Sequence, residues 1–147
     1  TPNANLQEGR GDFRGKPWRR FELPAVMISR SQTGTLGEEA ATAYLRQSGY
    51  LICAKNWRQG RYEIDIVAEK MGILHLVEVK TRRAGSLLKP EETITPTKAA
   101  AMRKAAAAYL AQHPTNAEVE FDLIAIDMFP DGNCDIRFVE NVVEFGW

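Results

Sequence analysis

Glu63, Asp65, Glu78 and Lys80 fall inside two runs otherwise rich in Ile, Leu and Val: EIDIVAEKMGILHLVEVK, residues 63–80. An unpaired carboxylate taken out of water is so unfavourable that it usually takes up a proton instead. If each run is a strand, alternation puts Leu74, Leu76, Glu78 and Lys80 on one face, opposite Ile73, His75, Val77 and Val79. On the first run Glu63, Asp65 and Val67 share a face opposite Ile64, Ile66 and Ala68. The short KMG turn pairs the runs antiparallel, which brings Asp65 and Glu78 to the same end of a hairpin. Two carboxylates that close repel each other unless a cation sits between them. A hard divalent ion, Mg2+ or Mn2+, takes such oxygens and leaves positions for water and a substrate phosphate. Lys80 would then position the water or steady charge building on the phosphate. The plain competitor is a cross-strand ion pair on a solvated face, worth roughly 0.2–1 kcal/mol. Leu74 and Leu76 on the same face argue against it.

The elements that must hold these residues are legible around them. TLGEEAATAYLRQSGY, from Thr35, puts Leu36, Ala40, Ala43 and Tyr44 on one helical face and stops at Gly49. LICAKNW (residues 51–57), YEIDIVAE and ILHLVEVK follow as a meander of three strands. The loop TRRAGSLLKPEETI leads to Thr95 and Pro96, a cap and a first-turn proline, and then to an alanine-rich helix. VEFDLIAIDM gives a fourth strand and CDIRFVENVVEF a fifth. Helix, three strands, helix and one or two strands make a mixed α/β domain. Residues 1–33, rich in Arg, Gly and Pro, read as a flexible basic tail ahead of a domain over 34–147.

Composition narrows the class. At 147 residues and 44% hydrophobic the chain is long enough for one packed core. No apolar run reaches the roughly 18 residues of a membrane span, and no secretory signal is visible. Cys53 and Cys134 show no metal-ligand spacing and read as reduced thiols, so a cytoplasmic location is expected. The net charge is zero but unevenly spread. Residues 80–104 hold seven Lys or Arg against two acids, while residues 113–147 hold one against eight. A basic side next to the odd strands suits a phosphate-bearing partner.

The spacing D-x(12)-E-x-K with apolar flanks resembles the PD-(D/E)XK, or restriction-endonuclease-like, superfamily. More specifically, LGEEAATAYLRQSGY, NWR, EIDIVAE, LVEVKTR, PEETITPTK, AYL and FDLIAID stand here in an order similar to that of the YraN family of predicted bacterial endonucleases, over roughly residues 34–129. The resemblance implies an αβββαβ core and metal-dependent cleavage of nucleic acid phosphodiesters, without fixing the substrate; DNA is expected before RNA, with branched or structured DNA left open against linear. Asp65, Glu78 and Lys80 would be its functional residues, with Glu38 from the first helix. Asp65, Glu78, the Val79 carbonyl and Glu38 would hold Mg2+ or Mn2+. Two departures stand out: Ile64 precedes Asp65 where the superfamily motif has proline, and Tyr62 stands where the family usually has glycine. That tyrosine could narrow the entrance, stack on a base, or be an ordinary strand aromatic.

Other residues carry open alternatives. Thr35-Leu36-Gly37-Glu38 fits a capping box, which would make Glu38 structural; Glu39 is the next choice should the helix be rotated. Thr81, Arg82, Arg83 and Lys98 are placed to hold phosphates, or are solvated charges. Glu63 is a substrate-facing group or an exposed strand-end acid. His75 reads as packed, His113 as a helix end, and Asp122 and Asp127 as decoys. The alternative to an enzyme is a non-catalytic module on the same fold that binds nucleic acid or protein. Homodimerisation is left open by the sequence.

Overall fold

The computed structural model describes residues 6–7, 18–22, 33–85 and 94–143 of the chain. Its elements are β1 (Leu6–Gln7), β2 (Trp18–Phe21), α1 (Thr33–Gln47), β3 (Leu51–Gln59), β4 (Tyr62–Lys70), β5 (Ile73–Arg83), α2 (Pro96–Gln112), β6 (Glu118–Met128) and β7 (Cys134–Val143). They form one seven-stranded mixed sheet in the order β1-β2-β7-β6-β5-β4-β3. Only β5 and β6 pair in parallel among these strands. A parallel pair needs a long crossover, and α2 supplies it. The expected α/β class and αβββαβ order are therefore present.

Turn chemistry sets the meander. Gly60, at φ 59, opens the two-residue turn closed by Gln59 and Tyr62. Met71 and Gly72, both at positive φ, close the next hairpin between Lys70 and Ile73. Each helix covers one face. On one, Leu36, Ala40, Ala41 and Leu45 of α1 pack on Ile66, Ala68, Val77, Ile124 and Ile126. On the other, Met102, Ala105, Ala106 and Tyr109 of α2, at helical spacing, pack on Val67, Leu74, Leu76 and Phe121. Each fully buried Leu or Ile contributes about 1.5–3 kcal/mol. Thr95 caps α2 as expected, its hydroxyl accepting the Lys98 N–H at 3.1 Å, with Pro96 in the first turn.

Three expectations change. Within residues 1–33, Trp18–Phe21 is not a tail: it pairs with β7 and buries Trp18 and Phe21, and the apolar pair at i and i+3 was the overlooked signal. The remainder of 1–33, apart from Leu6–Gln7, lies outside the described residues. Thr81, Arg82 and Arg83 belong to β5 rather than a loop, because parallel pairing continues to Arg83 opposite Met128. Finally, α1 begins at Thr33, which puts Thr35 inside the first turn and removes the capping box proposed for Glu38.

Gly37 lets α1 sit against β5. A Cβ there would stand 1.9 Å from Thr81 Oγ1 and 3.0 Å from Thr81 Cβ. Alanine gains about 1 kcal/mol in a helix over glycine, but overpacking costs about 1–3 kcal/mol. The clash should win. Gly37→Ala is expected to lower stability by about 1 kcal/mol or more in denaturant unfolding. Adding Thr81→Ala should recover most of it; a single variant as stable as the parent would contradict this packing.

Candidate functional site

The β4–β5 ladder runs from Lys70 opposite Ile73 to Ile66 opposite Val77 and stops there. One step further, Asp65 would face Glu78. Instead the Asp65 carboxylate enters the gap, and its Oδ2 accepts the Val79 backbone N–H at 2.8 Å. A strand residue sends its N–H and C=O to the same side, so the Val79 carbonyl also faces this fork. The neighbouring strand yields at the same level. Asn56, at φ 51, lies between the pairs Lys55–Ile66 and Trp57–Ile64, across from Asp65.

This local break corrects the simple alternation on β4. Ile66 and Ala68 pack under α1 and Val67 under α2, as period two requires. Ile64, expected beside Ile66, lies instead in the α2 cluster. Asp65 is the residue at which the phase slips, and its carboxylate lies between the strands rather than on the Val67 face. On β5 the alternation holds: Leu74 and Leu76 face α2, and Val77 and Val79 face α1. Glu78 follows the α2 face, where its Oε1 meets Lys98 Nζ at 3.0 Å.

Electrostatics couple the group. Burial, then the Glu78 charge, push the Asp65 carboxyl up to about 7; the Val79 hydrogen bond opposes them, and Glu38 and Glu63 add to the rise. Burial works against the Lys98 ammonium, but its hydrogen bond to Glu78 and the charges of Glu78, Asp65 and Glu63 outweigh it and raise its pKa. The ammonium paired with Glu78 is thus Lys98's, and Lys80, further along β5, is exposed. Glu38 is half-buried in α1, close enough to act on Asp65 through its charge.

The residues expected to hold phosphates differ in their surroundings. The Arg82 guanidinium lies against the fully buried Asp127, with Nε to Oδ1 at 2.5 Å, and over the Trp18 ring. It is a structural ion pair, which also gives Asp127 a role. Thr81 meets the start of α1 at Gly37, and Arg83 is exposed. Glu63 is exposed and lies 3.8 Å from Arg58.

A second polar cluster went unread in the sequence. His75, Glu120 and Asp122 present ligand atoms within 4.8 Å of one another, a group that could hold a metal ion. His75 Nδ1 already hydrogen-bonds Asp122 Oδ2, and Asp122 Oδ1 accepts the Asn141 N–H at 2.9 Å. Burial disfavours the imidazolium, yet the Asp122 bond and the surrounding carboxylates raise its pKa. His75 packs as expected, edge-on to Tyr50, and Asp122 is its partner rather than a decoy. The signal was parallel register, which sets His75 opposite Glu120.

The donor set of the fork suits a hard divalent cation. Two carboxylates and a carbonyl are oxygen ligands, and only one Asp65 oxygen is engaged by Val79. With no divalent ion bound, the folded chain holds the Asp65 proton to about 7, whereas an unfolded Asp loses it near 3.9. Between these values the folded state binds more protons, so stability falls as pH rises. Unfolding in chelator should show a loss on the order of a few kcal/mol between about pH 4 and 7. Asp65→Asn should flatten that slope and be the more stable form at pH 8; an unchanged slope would contradict the assignment.

Relatives share this framework. The pattern of the Uncharacterised protein family UPF0102 matches residues 37–126, from the start of α1 through most of β6. A UPF0102 protein of Porphyromonas gingivalis is 42% identical over 108 residues, 74% of this chain and 80% of its own length. One from Bacteroides thetaiotaomicron is 42% identical over 100 residues, covering 68% and 83%. One from Syntrophomonas wolfei is 40% identical over 111 residues, covering 75% and 96%. On the span of the pattern and the identity of these relatives, the chain belongs to the UPF0102 family, also called YraN.

Proposed function

We infer that the protein is a metal-dependent endonuclease of the PD-(D/E)XK kind, hydrolysing phosphodiester bonds in DNA. The observation that carries this reading is the fork: Asp65 leaves the ladder to bond Val79, with Glu78 acting on it as a neighbouring charge. Asp65, Glu78 and the Val79 carbonyl are the groups that would hold Mg2+ or Mn2+. Such an ion, when bound, lowers the pKa of coordinated water and offsets charge on a phosphate. The chain's own residues do the rest. The bond from the Val79 N–H holds the buried Asp65 carboxylate against the backbone. Lys80, exposed beyond Glu78, would orient an attacking water or neutralise charge on the phosphate. Glu38, whose charge acts on Asp65, would contribute through its field or a bridging water.

The Lys98–Glu78 contact favours a second reading, in which the ammonium replaces the metal and the domain binds without cutting. Metal response separates the two. Exposed Cys53 and buried Cys134 are both free thiols, which suits action in the cytoplasm. Among the described residues no helix is long and apolar enough to cross a membrane.

Purified protein with Mg2+ or Mn2+ is expected to nick branched or single-stranded DNA and to stop on chelation. Asp65→Ala and Glu78→Gln should each lower the rate by on the order of a thousand-fold or more, with the far-UV spectrum of the parent. Lys80→Ala should slow cutting while leaving metal affinity within about two-fold. Undiminished metal-dependent cutting by Asp65→Ala would refute the assignment.

A further inference from the structure

Beside the fork runs a groove of about 690 Å³ between the β3–β4 turn and the first turns of α2, lined by Arg61, Tyr62, Glu63, Pro96, Lys98 and Lys104 among others. Three cations face one carboxylate there. Among the described residues Arg61 and Lys104 have no ion-pair partner, and both are exposed. Tyr62 is half-buried at the first position of β4, held in place by its pairing with Gln59. Arg61 is fixed by the tight turn that Gly60 permits.

The groove is continuous with the carboxylates. Glu63 and Met102 line both it and a small cleft that contains Glu78. Lys98, on its wall, reaches Glu78 at 3.0 Å. A chain with a phosphate at the fork would therefore pass next over Lys98, Tyr62, Arg61 and Lys104. Lys98 and Lys104 belong to the basic run of residues 80–104, while Arg61 and Tyr62 come from the β3–β4 turn and the start of β4.

We propose that this groove binds a single strand of nucleic acid flanking the phosphate at the fork, with Arg61 and Lys104 on its backbone and Tyr62 against a base. The proposal rests on the nuclease reading for what lies at the fork. Its chemistry stands on the groove: separated cations match a repeating phosphate, and a tyrosine ring beside them stacks on any unpaired base. The volume lies in the range of sites for small ligands, far below what a duplex requires. Stacked bases inside a duplex would also leave the ring no partner.

The test is fluorescence anisotropy with a labelled 12-nucleotide single strand and a blunt duplex of the same sequence. It uses the full chain in chelator at 50–200 mM KCl, so binding is read without any cleavage. The double substitution Arg61→Ala/Lys104→Ala should weaken single-strand binding at least ten-fold. It should also reduce the slope of log affinity against log salt by about 1.4, two contacts at roughly 0.7 each. Tyr62→Leu should weaken it about five-fold or more with the slope unchanged. Duplex binding should change less than three-fold. Both charge sites are exposed, so thermal unfolding of the double variant should match the parent. Single-strand affinity and slope that stay within two-fold of the parent would overturn the proposal, as would an equal loss on the duplex. A catalytically dead protein that still shows these losses would sink the nuclease reading while leaving the groove assignment intact.

Discussion

A single hydrogen bond shapes the centre of this sheet: the Asp65 carboxylate takes the Val79 N–H at the point where the β4–β5 ladder ends. Had Asp65 been apolar, the two strands could have continued pairing to the end of the hairpin. A buried backbone N–H must find an acceptor, and here a side chain provides it. The strands therefore part around a carboxylate. That fork brings carboxylates into the sheet between the apolar clusters under the two helices, and it explains why charges persist at this point of the strands.

Keeping a carboxylate there is expensive, and the surrounding elements divide the burden. The proton is held to about 7 because burial and Glu78 both oppose ionisation. Glu78 is answered across the cleft by Lys98, whose backbone is fixed by the Thr95 cap and Pro96 at the start of α2. From the other face, α1 approaches closely enough through Gly37 for the Glu38 charge to reach Asp65. The helices thus do more than cover apolar faces. Each delivers one charged residue to within electrostatic range of the fork.

The hairpin, both helices and the order of elements were legible because apolar period and turn residues repeat locally: KMG, the Thr95–Pro96 cap and the alanine stripe each need only neighbours in sequence. That Asp65 and Glu78 lie at the same end of the hairpin was legible for the same reason, as a short turn fixes register. What the sequence hid depends on distant segments. The phase slip at Asp65 requires Asn56 on β3 to yield at the same level. Arg82 looks like a solvent charge until β6 supplies Asp127 beside it, and His75 looks merely packed until parallel register brings Glu120 and Asp122 alongside. Trp18–Phe21 reads as part of a polar tail because so short a strand has no period of its own; its partner is β7, more than a hundred residues later. Lys98 reads in the sequence as a phosphate holder or a solvated charge, and its contact with Glu78 depends on how α2 lies across β5.

The central claim is that Asp65 and Glu78 jointly accept a divalent cation and that Asp65 must give up its proton to do so. Titration calorimetry of Mn2+ at pH 7, repeated in buffers of different ionisation enthalpy, counts the protons displaced. With the carboxyl at about 7, the account predicts release of about half a proton per ion bound, and no binding by Asp65→Asn. Binding that displaces no proton, or that persists unchanged in Asp65→Asn, would contradict it.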